Sequence, residues 1–572
     1  MRDFDEAAEA FLALLVAHGS SYVFINPGTD TFPIQEAWAK RREQGLTDPI
    51  PIMCTHEHTA VAAAHGYFLA SGQTQTVMVH VDAGTQNVGG ALHNAQRSEA
   101  GLVLCAGRAP YTWDGQMRGG KDVPIHFWQE QVDQASIVRN YVKWHYELTR
   151  SENIAGVLER AFQVAANEPA GPVYLMLPRE VLMQPALGVR MPDQRRMGKA
   201  TPASPDLDGI RRAAEVLARA ERPLIIASQN GRNPATMAEV PRLAEQIGAR
   251  IVDNYDFASV PGSHPLNLGP NLMAELPRAD VIVLLDPNVP WVPNLVRPAS
   301  AAAIIQIDRD PLHQRWAFWP FPVDVRITSS VATALPALRL ALDDVHTAAQ
   351  RATAAQRRED IALEHRHLQD EIAARARSKA STRPMDPEWV AWCLAQVLPK
   401  DAILLEDAIT NRPWVRTHLS RDMPGTIFTP GGSSLGWAMN AAIGVKLAQP
   451  DRTVVSLMGD GGFSFANPVA ALWTALKAGT PTLTVLFNNA CYNASKYPII
   501  HEMYPGGAVA RANDGIVTAM DPQLDYDFIV RGCGALGITV HDPAELEPAL
   551  RRALDAVQHG QSAVLNAVLR PA

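Results

Sequence analysis

Residues 454–492 read VVSLMGDGGFSFANPVAALWTALKAGTPTLTVLFNNACY. Residues 454–458 are an apolar run of strand type. Gly459-Asp460-Gly461-Gly462 follows as a turn, and its missing side chains let a phosphate approach backbone N–H groups closely. Asn467-Pro468 then starts a helix, with Asn as cap and Pro at the first helical position. Its apolar face continues through Leu472, Trp473 and Leu476 and stops at Gly479. Residues 482–487 are a second buried strand, with Asn488-Asn489 at its carboxyl end. The stretch is a β-α-β unit whose polar groups stand at the carboxyl ends of neighbouring parallel strands, where open α/β sheets bind ligands.

The types of those polar groups suggest a divalent metal bridged to a diphosphate. Asp460 is a hard carboxylate ligand in a glycine turn, Asn489 offers an amide oxygen, and the carbonyl of Cys491 supplies a third oxygen. Mg²⁺ suits such sparse oxygen ligation, completed by phosphate and water. A dinucleotide fingerprint is the rival reading. It fails because Ser464 stands where a third glycine is wanted, and because it calls for neither the Asp nor the Asn pair.

GDG, a gap of roughly 25–30 residues, then NN resembles the signature of thiamin diphosphate enzymes. Gly459, Asp460, Gly461, Asn488 and Asn489 carry the resemblance. It implies that Asp460, Asn489 and the Cys491 carbonyl hold Mg²⁺. It also implies that Gly462 and Tyr492, beside them, contact the cofactor. A second match lies near the N-terminus, where the family pattern looks like HE-x-x-A followed by GYA and TG. His56, Glu57, Ala60, Gly66, Tyr67 and Gly72 keep that frame, with His65 at a position that is often acidic. The implied role of Glu57 is to hydrogen-bond a ring nitrogen of the cofactor's aminopyrimidine and so favour the reactive ylid. His56 and His58 flank Glu57 at a spacing unlike the i, i+4 pair of a zinc-binding helix.

Two further stretches look like benzoylformate decarboxylase. Asn26-Pro27-Gly28-Thr29 resembles its NPGS loop, and His80 with Gly84, Thr85 and Asn87 resembles its H-x-x-x-G-T-x-N stretch. On that basis His80 exchanges a proton near the substrate, Thr29 donates a hydroxyl to the substrate's carboxylate, and Asn87 contacts the cofactor. Phe127-Trp128-Gln129-Glu130, followed by Val142-Lys143, resembles the FQE…TK segment of acetolactate synthase, which places Gln129 by the substrate channel. The loops at Thr410-Asn411 and Ser433 follow strands and present hydroxyls and N–H groups to the diphosphate. By resemblance Leu435 sits under the bend that brings the two cofactor rings together.

Elsewhere the chain alternates strands and helices, which implies parallel sheets covered on both faces. Residues 4–18 read as a helix, and residues 22–25, 50–53, 76–79 and 102–106 as strands. Residues 80–87 form a small, polar loop. Residues 182–205, rich in Pro and polar groups, read as a linker. Asp206 begins a helix, and strands recur at 223–228, 281–285 and 302–307 without a GxGxxG, so no NAD is expected. Some acetolactate synthases carry FAD in this region as a structural cofactor; the sequence does not decide between its presence and absence here. Residues 351–377 read as an exposed helical connector. The expected architecture is α/β with three parallel-sheet domains. These are a pyrimidine-binding domain (1–185), a central Rossmann-like domain (200–345) and a diphosphate-binding domain (385–572), the last two joined by a helical linker (346–384).

The 572 residues are 47% hydrophobic with a net charge of -8, which argues against non-specific nucleic-acid binding. Five scattered cysteines with no CxxC fit a reducing compartment. The acidic N-terminus lacks the features of a targeting peptide and no apolar run is long enough to span a membrane, so the cytoplasm is the expected location. The resemblance implies a homodimer or homotetramer, since the matches to Glu57 and Asp460 meet across a subunit boundary in the family. The function it implies is thiamin diphosphate- and Mg²⁺-dependent cleavage of a 2-oxo acid through an ylid and an enamine. The alternatives are an acetolactate-synthase-like carboligase, which joins the enamine to an aldehyde or ketone, and a non-catalytic cofactor-binding subunit.

Overall fold

In the computed structural model, which describes residues 1–193, 196–198, 200–254, 257–512 and 516–569, three parallel sheets follow one another along the chain. The first has six strands in the order Ile50–Met53, Tyr22–Ile25, Gln75–Val79, Leu102–Arg108, Val173–Pro178, His145–Glu147. Val103 and Cys105 enter one buried cluster while Leu102, Leu104 and Ala106 enter another on the opposite face. Burial of both faces is why the strand reads as one continuous apolar run. The central sheet has five strands: Arg250–Asp253, Pro223–Ala227, Val281–Leu285, Ala303–Asp308, Val325–Thr328. The third has six: Ile427–Phe428, Ile403–Asp407, Val454–Gly459, Leu483–Asn488, Ala563–Val568, Leu536–Val540.

In the first sheet the chain leaves Tyr22–Ile25 for the strand on one side, then crosses to Gln75–Val79 on the other. The third sheet repeats this about Ile403–Asp407, with Ile427–Phe428 on one side and Val454–Gly459 on the other. Each reversal opens a crevice at the carboxyl ends of two parallel strands. Asn26–Thr29 and His80 border the first crevice; Thr410, Asn411 and the Gly459–Gly462 segment border the second.

The two outer units meet through the helices Glu57–Ser71 and Trp437–Ala448. A Cβ at Gly66 would stand 2.1 Å from the Ala441 carbonyl oxygen, and one at Gly444 would stand 1.7 Å from that of Ala63. These glycines let the two backbones touch. Across the same contact the Trp437 indole donates to His65 Nδ1 (3.0 Å), and His65 Nε2 lies 2.5 Å from the Ser98 hydroxyl. Burial pushes the His65 imidazole down to about 3, so it is neutral, with Nδ1 accepting and Nε2–H donating.

Several segments differ from the sequence reading. Residues 80–87 are not a loop: Val81–Asn87 is helical, with His80 at its N-cap. The glycine turn after Val454–Gly459 winds into the short helix Asp460–Phe465. Asn467 precedes the helix Pro468–Ala478 in a left-handed conformation, with no side-chain cap. The first helix spans Ala7–Ala17, because Arg2–Phe4 pairs antiparallel with Ala186–Val189 from the segment read as linker. Gln194, Arg195 and Lys199 of that linker lie outside the described residues. The connector helix, Ala348–Ser378, is capped by Thr347 and buries Ala354, Ile361 and His365 against the central unit, so it is only partly exposed. No helix among the described residues is long and apolar enough to cross a membrane.

Candidate active site

Glu57 opens its helix at 6% exposure. Asn26 Nδ2 donates to one carboxyl oxygen (2.8 Å) and Asn87 Nδ2 to the other (3.1 Å). The two amides fix the carboxyl plane, and each oxygen keeps a further acceptor site. Gly84 packs beneath, where a Cβ would come within 3.3 Å of Glu57 Oε1.

His80 lies beside this group. Its Nδ1 is 2.6 Å from Asp30 Oδ1, and Asp30, 3% exposed, also accepts from the Gly107 N–H at 2.9 Å. A Cβ on Gly28 would stand 2.0 Å from His80 Nδ1, so only glycine leaves the ring its place. Burial lowers the His80 pKa, but Asp30, then Asp82 and Gln129, more than offset it, and the net shift is upward. The stabilisation from this pair is therefore present below the unfolded imidazole's pKa of about 6.5 and is lost as pH rises through the higher folded value. Asp30→Asn is expected to move the alkaline limb of a pH–rate profile to lower pH; a limb that stays put would separate His80 from proton transfer.

Thr29 Oγ1 lies 3.4 Å from Nε2 of His126, which is 1% exposed. Gln129, 7% exposed, follows on the same strap, residues 111–130. Asn26, quoted from sequence only as part of the NPGT loop, and Asp30, Asp122 and His126, not singled out there, join this group in the structure. Asp30 directly follows the NPGT loop, and that adjacency was the available signal.

In the third sheet, Asp460 and the turn after Leu483–Asn488 come together. Asp460 Oδ1 accepts from the Gly461 N–H (3.0 Å), while Oδ2 is buried without a partner among the described residues. Burial raises the carboxyl's pKa, against the N–H groups of Gly461, Ala490 and Cys491. Ala490 is left-handed at φ 58°, which turns the chain so that Asn489 Oδ1 accepts from the Cys491 N–H at 3.2 Å. The Cys491 carbonyl accepts from the Asn493 N–H at 2.9 Å and retains one lone pair. Asn488 builds the turn, accepting from the Ala490 N–H. The Tyr492 ring covers Gly461, where a Cβ would approach it to 2.7 Å. Tyr526 is buried nearby, with its hydroxyl facing Ser464 and near Asp460.

The remaining residues border the same crevice less closely. Thr410 is exposed and Asn411 buried, just past Ile403–Asp407. Ser433 is exposed and stands 3.3 Å from His93 Nε2, while Ser434 is pinned by Asn94. Leu435 is half-buried ahead of Gly436, itself left-handed at φ 78°. Among the described residues no hydrogen bond or ion pair joins the Glu57 group to the Asp460 group within one chain. A cavity of about 860 Å³ lies where the three units meet, lined by Arg232, Arg309 and Ser330.

The residues fit a Mg²⁺–diphosphate. A buried carboxylate oxygen without a partner costs about 1–3 kcal/mol or more, and a cation there removes that cost. Among the described residues no group of three or more His, Cys, Asp or Glu is placed to hold a metal. Mg²⁺ needs none, since one carboxylate, an amide and a carbonyl suffice when phosphate supplies the rest.

Family models match along most of the chain: the thiamine pyrophosphate enzyme N-terminal TPP binding domain over residues 5–137, the central domain over 210–338, and the C-terminal TPP binding domain over 408–567. A benzoylformate decarboxylase of Pseudomonas aeruginosa is 27% identical over 95% of both chains. An acetolactate synthase large subunit of Mycobacterium tuberculosis is 28% identical over 97% of this chain and 94% of that protein. A solved thiamine diphosphate-dependent 4-hydroxybenzoylformate decarboxylase of Rhodococcus jostii shares the fold at a TM-score of 0.76, with 20% identity over 99% of each chain. Matching family models over all three units, with that fold, make this chain a member of the thiamine pyrophosphate enzyme family and a thiamin diphosphate-dependent enzyme.

Proposed function

We propose that the protein is a Mg²⁺-dependent 2-oxo acid decarboxylase working as a homodimer or a pair of homodimers. The observation that carries this reading is the convergence of Glu57, Thr29 and the Asp30–His80 pair on one crevice. Thiamin diphosphate, when bound, supplies a nucleophilic carbon and an electron sink for the carbon–carbon bond that breaks. Asp460, Asn489 and the Cys491 carbonyl would hold Mg²⁺ together with the diphosphate. Gly459, Gly461 and Gly462 let it approach the backbone, and Tyr492, Asn411, Thr410, Ser433 and Leu435 bound its crevice. Glu57 holds a proton at a ring nitrogen of the aminopyrimidine, and Asn26 and Asn87 keep its carboxyl oriented for that. Thr29 receives the substrate's carboxylate. His80 hands a proton to the carbon from which carbon dioxide departs, and Gln129 steadies the ring.

As the family resemblance implies, Glu57 of one copy works on cofactor held by Asp460 of another. Exposed Trp113, Phe127 and Trp128 on the strap, with Phe465, Tyr492 and Phe528 on the third unit, offer apolar surface for that contact. Five free cysteines support a reducing, cytoplasmic setting.

The second reading, a carboligase, is favoured by the acetolactate synthase relative and by Gln129 beside His80. Product analysis with Mg²⁺, thiamin diphosphate and a panel of 2-oxo acids, each with and without an aldehyde or ketone acceptor, separates the two. Free aldehyde from the acid alone is the expected result. A hydroxyketone or acetohydroxy acid formed only with an acceptor would replace the decarboxylase by the carboligase. Consumption of no acid would overturn both.

A further inference from the structure

The strap at residues 111–130 is not a free loop. Arg179, 3% exposed, donates from Nε to the Gly119 carbonyl (2.6 Å) and from Nη2 to the Gly120 carbonyl (2.7 Å), and pairs with Asp122 Oδ2 at 3.0 Å. Its Nη1 donates to the Thr29 carbonyl at 3.2 Å, so one guanidinium ties the strap to the loop at the crevice. Glu180 accepts from the N–H groups of Tyr111 (2.7 Å) and Thr112 (2.9 Å). The strap thus carries His126 to a fixed place, at the back of Thr29.

We propose that His126 is a positioning residue that turns the hydroxyl of Thr29 into a donor aimed at the carboxylate of the acid substrate. The proposal deepens the 2-oxo acid reading above and rests on it. A carboxylate only accepts, so Thr29 must present its O–H to it. The hydroxyl can do so only if its oxygen, not its proton, is turned to His126, which requires the ring's proton to sit on Nε2.

The strap supplies that tautomer. The backbone N–H of Asp122 donates to His126 Nδ1 at 3.3 Å, which makes Nδ1 the acceptor. Asp122 Oδ1 lies 3.1 Å from the same nitrogen, but Arg179 holds the other carboxylate oxygen and competes for its charge. Nε2–H then points at Thr29 Oγ1 across 3.4 Å, a long contact of the kind that tightens when substrate fills a site. The imidazole's pKa lies below its ordinary value: burial and Arg179 lower it, Asp122 raises it, and Lys121 and His80 lower it further. His126 and His80 are thus pushed in opposite directions within one crevice, which divides their tasks between orienting and proton transfer.

The test uses the full-length holoenzyme and the 2-oxo acid it turns over fastest. His126→Leu is expected to raise KM about tenfold with kcat lowered less than about threefold, as loss of binding common to ground and transition states requires. Thr29→Val should do the same, the double variant should be no worse than either single one, and His126→Gln, which keeps an N–H at the right reach, should recover most of the loss. The pH limb set by His80 should not move in any of them. An unchanged KM in His126→Leu, or effects that multiply in the double variant, would overturn the proposal. Histidine-selective ¹⁵N spectra provide a readout that needs no turnover. A neutral ring protonated at Nε2 at pH 7, shifted by Thr29→Val, is expected; a charged or Nδ1-protonated ring would contradict the proposal. If the parent enzyme consumes no 2-oxo acid, the functional reading falls, while the spectra still decide how His126 is protonated.

Discussion

Glu57→Gln is expected to lower kcat by about 10²–10⁴-fold while thiamin diphosphate still binds within about threefold of the parent. The amide is the same size as the carboxyl and sits between Asn26 and Asn87, so the fold should tolerate it. What it cannot do is hold a proton at a ring nitrogen of the cofactor. One Asn donor would also face the new amide's N–H, so a small loss of stability is part of the expected result. Turnover, calorimetric cofactor binding and thermal unfolding, measured on the same preparation, separate these effects. Equal turnover in variant and parent would remove Glu57 from the mechanism. Lost cofactor binding would make it a binding residue.

The second large effect concerns Asp460. Asp460→Asn is expected to weaken Mg²⁺-dependent cofactor binding by at least about 100-fold, since loss of even an outer partner of a metal ligand costs roughly 10–100-fold. The same change should stabilise the cofactor-free protein. Among the described residues Asp460 Oδ2 has no hydrogen bond, burial outweighs the N–H groups that favour the carboxylate, and a neutral amide removes the buried charge. Opposite signs for binding and for apo stability mark a group kept for its ligand rather than for the fold. Calorimetric titration of thiamin diphosphate at several Mg²⁺ concentrations reads the first effect and the apo melting temperature reads the second. Unchanged Mg²⁺ dependence would show that another group holds the metal.

The β-α-β unit at residues 454–492 was legible because central parallel strands bury both faces and leave continuous apolar runs between glycine-marked turns. Its short helix at Asp460–Phe465 was not, since three glycines in seven residues argue locally for a turn and only packing on the neighbouring strands winds them. The strands His145–Glu147 and Leu536–Val540 lie at sheet edges and are only partly buried, so they lack the apolar run that marked the central strands. Glu57, His80 and Asp460 could be singled out from local motifs. Their partners could not, because the contacts are long-range: Asn26 lies 31 residues from Glu57, Asp30 lies 50 from His80, and Thr29 lies 97 from His126. His65 shows the same limit. Alone it reads as a departure from an acidic position, yet in the fold it is the neutral centre of a buried link between Trp437 and Ser98.

The central claim is that Glu57 and Asp460, on two units of the fold, serve one decarboxylation. Release of labelled carbon dioxide from a carboxyl-¹³C 2-oxo acid tests it most directly, measured with both cofactors, without thiamin diphosphate, with Mg²⁺ chelated, and in Glu57→Gln. Release that needs both cofactors and the Glu57 carboxyl is the predicted result. Release that persists when any of the three is removed, or none from any acid by the fully loaded enzyme, would contradict it.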